Sequence, residues 1–221
     1  MAISRELNIF LPQYTCSYCK DEVEIRETSP SAKVKIVKWK NSCFHNLDCG
    51  MVKDLTGFFD NSTPDILRHD CDGIITFEED GQKYMFLIEI KSTFCTSDLY
   101  KASLQIISSY IKVNVILNMM RSYTKDDYVV KGFIFTLPAK KSFLFDHHKQ
   151  MMFKPKNRYK TEAEFCDELC CCQEKKMTLY QTECDALRDL PFSNNVLFNS
   201  IEFHHIEVSD NSIELDVHDF I

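Results

Sequence analysis

Glycine and proline are scarce in this chain of 221 residues, at five and six, which argues against collagen-like, linker-rich and low-complexity architectures. No uninterrupted apolar stretch approaches the roughly 18 residues that a membrane span needs, and the opening Met1-Ala-Ile-Ser-Arg-Glu carries no basic region leading into an apolar run. Neither membrane insertion nor secretion is therefore expected. There is no internal repeat, and no Gly-rich phosphate loop, serine elbow or dinucleotide fingerprint. What is present is ordinary globular composition, 44% hydrophobic and 27% charged, in a length that suits one domain over 1–221. Cysteine is the exception. Eleven of them, odd in number and scattered, read as reduced thiols in a cytoplasm.

A net charge of −7 speaks at first against a nucleic-acid partner. Its distribution reverses that. Residues 162–221 hold 14 acidic and 3 basic side chains, a balance of −11, whereas residues 1–161 hold 23 basic against 19 acidic, a balance of +4. The acidic C-terminal portion is expected to dock a protein partner, or to shield a basic surface.

Lys33, Lys35, Lys38 and Lys40 alternate with Val34, Ile36, Val37 and Trp39, so a strand with a basic face is predicted. A helix or irregular segment is expected around Leu47 to Phe59. Further on, Gly73-Ile-Ile-Thr-Phe and Tyr84-Met-Phe-Leu-Ile-Glu-Ile flank Asp80-Gly81, a strong short-range hairpin signal. Helical spacing of Leu99, Ala102, Ile106, Tyr110 and Val113 predicts a buried helix from Ser97 to about Met120, capped by Thr96 or Ser97. Tyr128 to Thr136 reads as a core strand after an Asp126-Asp127 turn. A basic, aromatic stretch follows from Pro138 to Lys160, then an acidic helix from Thr161. Strands near Ile201 to Val208 and Ile213 to Val217 are predicted to close the chain as a second hairpin.

With Asp80 and Gly81 at the turn, Glu79 faces Gln82 and Asp72 falls opposite Glu89. Period-two alternation gathers Asp70, Asp72, Glu89 and Lys91 at one end of one face, while Gly73, Ile75, Phe77, Tyr84, Phe86, Ile88 and Ile90 form an apolar face. Gly73 leaves room for a ligand to approach closely. Two opposed carboxylates repel unless a cation lies between them. Asp72, Glu89 and the main-chain carbonyl of Ile90 are hard oxygen donors that suit Mg²⁺ or Mn²⁺. Lys91, on the same face, is placed to position or deprotonate the attacking water and to stabilise charge on a phosphate.

The Asp-Gly at a strand start, the hairpin, and the run into Glu89-Ile90-Lys91-Ser92 resemble the PD-(D/E)XK, or restriction-endonuclease-like, nuclease superfamily, over about residues 64–136. The resemblance implies an α/β fold with a central mixed β-sheet flanked by helices. It implies that Asp72 and Glu89 bind the metal and that Lys91 assists the nucleophile. Gln105, in Lys101-Ala-Ser-Leu-Gln-Ile-Ile-Ser-Ser-Tyr110, is similar to a glutamine that many members place on the next helix, although Tyr110 stands one residue further along than in the branch that continues with tyrosine. An additional acid from an earlier helix would be Asp48 or Asp54, and Asp70 is the alternate to Asp72. Pro64-Asp65 matches the superfamily's name but lies beyond the hairpin register. The activity implied is hydrolysis of phosphodiester bonds, in DNA before RNA, in prokaryotic antiviral defence, mobile elements or repair. Two sites in a homodimer would serve double-strand cutting.

Candidates for holding the polymer are Lys101, Lys140, Lys141, Lys149, Lys154, Lys156, Arg158 and Lys160, the last seven interleaved with Phe143, Phe145, Phe153 and Tyr159. Cys16 and Cys19 with Cys43, His45 and Cys49 have the first-pair spacing of a zinc site, weighed against isolated cysteines acting as small hydrophobes. Cys170-Cys171-Cys172 reads as packing and surface. His147-His148 and His204-His205 lie far from the hairpin and are expected in polar surface loops. The rivals to a nuclease are a nuclease-like fold that only binds nucleic acid or protein, and a zinc-stabilised interaction module.

Overall fold

Alternating apolar residues on either side of Asp80-Gly81 form two antiparallel strands, β3 (Gly73–Glu79) and β4 (Gln82–Ile90). Both turn residues have positive φ, 51° at Asp80 and 80° at Gly81, the requirement of a tight primed turn that glycine meets without strain. The pairing runs from Glu79 with Gln82 to Gly73 with Ile88, which is the predicted register. The structure, a computed structural model, describes residues 2–58 and 65–221; Pro64 lies outside them.

The hairpin is the middle of an eight-stranded mixed sheet. The other strands are β1 (Cys16–Arg26), β2 (Ile36–Leu47), β5 (Tyr128–Thr136), β6 (Lys176–Tyr180), β7 (Ser200–Glu207) and β8 (Ser212–Asp216). Their order is β1-β2-β3-β4-β5-β7-β6, with β8 beside β2. Strands β4, β5 and β7 run parallel, and the remaining pairs are antiparallel except β2 with β8. Among the described residues five α-helices accompany them: α1 (Ala2–Phe10), α2 (Gly50–Phe58), α3 (Thr96–Leu117), α4 (Lys141–Met151) and α5 (Glu162–Cys170). The fold is thus α/β, with a mixed sheet flanked by helices. No described helix is long and apolar enough to cross a membrane.

Two cores sandwich the hairpin. On one face Ile74, Met85 and Leu87 pack with Ile134 under Leu7, Met51, Val52, Phe165 and the apolar residues of α3. On the other, Ile75, Phe86, Ile88 and Phe133 pack against Val23, Ile25, Val37 and Trp39. Only Leu47, Asn46 and His45 of β2 pair with β3, whereas Ile36 to Lys40 pair with β8. The far half of the β1–β2 ribbon therefore leaves the edge of β3. Trp39 contacts Phe86, Phe133, Phe135 and Phe220 edge-on. The face of the hairpin that bears the charges is thus buried too, because α3 covers it: 14 of its 22 residues are buried.

Several expectations are corrected. Strands β7 and β8 exist but do not pair with each other, since β7 lies between β5 and β6 and β8 beside β2. Within residues 162–221, α5, β6 and β7 contribute Phe165, Leu179 and Phe203 to the helix-side core. Several acids in this range are held by ion pairs, Glu202 with Lys131 at 2.5 Å and Glu214 with Lys40 at 2.5 Å. Helix α3 is capped by Cys95, whose sulfur accepts from the Asp98 amide, while Thr96 instead donates to Glu162. His204 and His205 lie on β7 and are buried. Gly73 serves packing rather than ligand approach, because a Cβ there would meet three side-chain carbons of Ile25 at 2.6–2.9 Å. Gly73→Ala is accordingly expected to destabilise the protein by about 1–3 kcal/mol in urea unfolding, whereas Gly57→Ala, with nothing within 4 Å of the new methyl, should not. Equal midpoints for the two variants would contradict this packing.

Candidate active site

The ladder of β3 and β4 ends at the pair Gly73 with Ile88, so Asp72, one residue before it, is not paired with Glu89 as the sequence register predicts. There the Asp72 amide still donates to the Ile88 carbonyl at 2.9 Å, and the Asp72 carboxylate accepts the Ile90 amide at 2.7 Å. A side chain thus replaces the next rung. Because Ile88 and Ile90 turn their peptide groups toward β3, the Ile90 carbonyl leaves the strand on the Asp72 side. Lys91 begins a different course, its amide donating to Phe135 at 2.8 Å.

Glu89 points to the helix face and is only 2% exposed. One of its oxygens, Oε1, lies 2.6 Å from the Lys91 ammonium. Lys91 also donates to Gln105 Oε1 at 2.5 Å, and Gln105 Nε2 donates to the Asp70 carbonyl at 2.9 Å. The four residues singled out in the sequence, Asp72, Glu89, Lys91 and Gln105, are therefore brought together. The other Glu89 oxygen, Oε2, is buried and without a hydrogen-bond partner, a costly condition for a carboxylate.

Burial raises the Asp72 carboxyl to about 6 despite the Ile90 N–H that favours its charged form. Burial also pushes Glu89 well above the usual carboxylate range, with the negative charge of Asp72 adding to it and Lys91 opposing. Two carboxyls so disposed resist joint ionisation, and either a retained proton or a divalent cation would relieve them. The donors fit such an ion: the orphaned Glu89 Oε2, Asp72 and the Ile90 carbonyl are all hard oxygens, which suit Mg²⁺ or Mn²⁺ rather than zinc. A cavity of about 270 Å³ reaches Asp72 and is also lined by Asp48, Glu24 and Arg26.

The other acids are placed differently. Asp70 accepts from Thr56 at 2.8 Å and pairs at 2.5 Å with Lys112, which is 1% exposed and also donates to Thr56 and the His69 carbonyl. All three ammonium protons of Lys112 are used, and Asp70 anchors α3 through its Oδ1. Sequence reasoning overlooked Lys112, although a lysine inside the apolar run Ile111 to Val113 was a signal. Asp48 accepts the Gly50 amide at 2.8 Å at the start of α2 while lining the cavity. Asp54 accepts from Tyr14 at 2.5 Å, and Asp65 is exposed and bonded to His69. Tyr110 packs edge-on against Phe198 in the core.

Lys101, Lys140, Lys141, Lys154, Lys156 and Arg158 are all exposed, the first on α3 and the others at the start of α4 and after its end. Phe153 beside them is 82% exposed. Lys38 and Lys40, by contrast, lie among Glu22, Glu24 and Glu214, so the basic face of β2 is largely neutralised. The proposed zinc set is not assembled. Cys16 packs with the helix-side core and Cys19 with the opposite one, because an odd spacing on a strand sends side chains to opposite faces. Cys43 is exposed and Cys49 lies near the helix-side core. All eleven cysteines are free thiols.

No family model matches the chain, and neither a curated protein nor a solved structure does.

Raised carboxyls mean that the folded chain binds more protons than the unfolded one, so their contribution to stability falls as pH rises. For Asp72 the window runs from 3.8 to about 6. In metal-free protein Asp72→Asn should remove this loss, so that the variant gains on the wild type across that window in urea unfolding. A difference that stays flat, or moves toward the wild type, contradicts the buried pair.

Proposed function

We propose that the chain is a Mg²⁺- or Mn²⁺-dependent hydrolase of phosphodiester bonds with a restriction-endonuclease-like core, acting on DNA in preference to RNA. The single observation that supports it best is the pairing of two buried carboxyls, one with an orphaned oxygen, beside a lysine held by a glutamine. Nothing in packing requires that arrangement. In the structural pair of Asp70 and Lys112, by contrast, the lysine spends all three of its protons and no buried oxygen is orphaned.

In this reading Asp72, Glu89 and the Ile90 carbonyl hold the cation. The ion supplies Lewis acidity, neutralising a phosphate oxygen and easing loss of a proton from water. Glu89 and Lys91 order the attacking water through Oε1 and Nζ, and Lys91 offers its protons to the charge that grows on the phosphate. Gln105 keeps the Lys91 ammonium pointed at the site by accepting one of those protons. Exposed Lys101, Lys154, Lys156 and Arg158 contribute phosphate contacts that steer and hold the polymer without reading its sequence. A role in antiviral defence or mobile elements, and a homodimer for double-strand cutting, belong to the resemblance and are proposed with it. So is a location in the cytoplasm.

The second reading, a nuclease-like fold that only binds nucleic acid or protein, draws on the closed chain of hydrogen bonds from Glu89 through Lys91 and Gln105 to Asp70. Cleavage assays separate the two. With Mg²⁺ or Mn²⁺ the wild type should cut DNA, and Glu89→Gln and Lys91→Ala should each lower the rate about a hundredfold or more while leaving DNA retention intact. Retention without metal-dependent cutting would favour the second reading, and cutting that survives both substitutions would place the chemistry elsewhere.

A further inference from the structure

Helix α4 buries none of its residues. Leu144 is its half-buried apolar contact with the core that holds α5, and polar contacts join the two helices: His147 bonds the Ala163 carbonyl at 3.0 Å, and the Cys171 thiol donates to the Leu144 carbonyl at 3.5 Å. At the far end of this contact His148, from the last turn of α4, meets Asp167 and Cys171. The latter two are four residues apart on one face of α5 and its C-cap. His148 Nδ1 is 2.9 Å from Asp167 Oδ1, and one ligand atom from each of the three residues lies within 4.8 Å of the others.

We propose that His148, Asp167 and Cys171 bind a borderline transition-metal cation, Zn²⁺ first, and that the ion clamps α4 to α5. A tetrahedral zinc ion sets its nitrogen, oxygen and sulfur ligands roughly 3.2–3.8 Å apart, so the three groups need shifts of about 1 Å to close on it. The mixed donor set selects this class of ion: a thiolate and an imidazole favour zinc over Mg²⁺, unlike the all-oxygen donors at Asp72 and Glu89. The fourth position faces solvent, since the His148 side chain is 52% exposed. On binding, Cys171 loses its thiol proton to solvent and His148 ligates as neutral imidazole. An ordinary histidine–aspartate ion pair accounts for the 2.9 Å contact. The Cys171 thiol meanwhile donates to the Leu144 carbonyl at 3.5 Å, and the ion would replace both contacts with bonds to itself.

The clamp has a consequence for the basic surface. Helix α4 carries Lys141 and Lys149 and leads into Lys154, Lys156 and Arg158, and Phe143 on it contacts Phe94, three residues beyond Lys91. Fixing α4 therefore fixes where those charges lie relative to Lys91.

Titration of metal-stripped full-length protein with Co²⁺ tests this directly. A thiolate-to-cobalt charge-transfer band should grow to one equivalent, apart from any Co²⁺ taken up without that band by the all-oxygen donors at Asp72 and Glu89. Zn²⁺ should remove the band and Mg²⁺ should not. Cys171→Ser should abolish the band, His148→Ala at the exposed end should weaken binding at least tenfold, and Cys43→Ser, at an exposed thiol on β2, should leave both unchanged. Zn²⁺ should also raise the melting temperature of the wild type but not of His148→Ala. A wild type without the band at saturating Co²⁺, a band that persists in Cys171→Ser, or undiminished affinity in His148→Ala would each overturn the proposal.

Discussion

Two carboxyls held against each other, inside the protein, are the constraint around which the rest of this structure is arranged. Asp72 and Glu89 are brought together because a two-residue turn at Asp80-Gly81 sets every pair of β3 and β4, and because the Asp72 carboxylate takes the place of a backbone acceptor for Ile90. Neither side chain can leave without disturbing the ladder or the core. The hairpin can bear this because both its faces are buried: aromatic packing around Trp39 supports one, and α3 closes the other.

Two acid–lysine pairs lie along α3, and their difference carries the functional reading. Lys112 is wholly buried and spends three donors on Thr56, His69 and Asp70. Breaking such a satisfied pair on one side is expensive because it strands the other charge. Lys91 and Glu89, by contrast, leave one carboxylate oxygen without a donor and a second carboxyl alongside. A folded chain tolerates that deficit where something outside the chain makes it good. A divalent cation with hard-oxygen preference is the simplest such partner.

Much of this was legible in the sequence because it depends on local periods. The β3–β4 register followed from Asp80-Gly81, and with it the meeting of Asp72, Glu89 and Lys91. Gln105 followed from the resemblance to the superfamily's helix motif and not from any local period. Strand β5 kept its expected limits of Tyr128 and Thr136. What escaped depends on tertiary context. Strand β1 carries Lys20, Asp21, Glu22 and Glu24 and is broken by a bulge at Lys20/Glu22, where Asp21 takes φ 65°, so its alternation is lost to inspection. The final two strands read as a hairpin because they are adjacent, but β7 finds a better-buried place between β5 and β6 and β8 borders β2. Cys16 and Cys19 had the spacing of a metal pair on a turn, yet on a strand that spacing divides them between two cores. The register favoured Asp72 with Asp70 as the alternate; what it could not show is that Asp70 pairs with the buried Lys112 while Asp72 takes the Ile90 amide.

The measurement closest to the central claim is anomalous diffraction from crystals of the full chain soaked in Mn²⁺. The account predicts a manganese peak bonded to the Asp72 and Glu89 carboxylates, with the Ile90 carbonyl as a further ligand. Saturating Mn²⁺ with no peak between those two groups, or Glu89 still turned to Lys91 while the ion binds elsewhere, would contradict it.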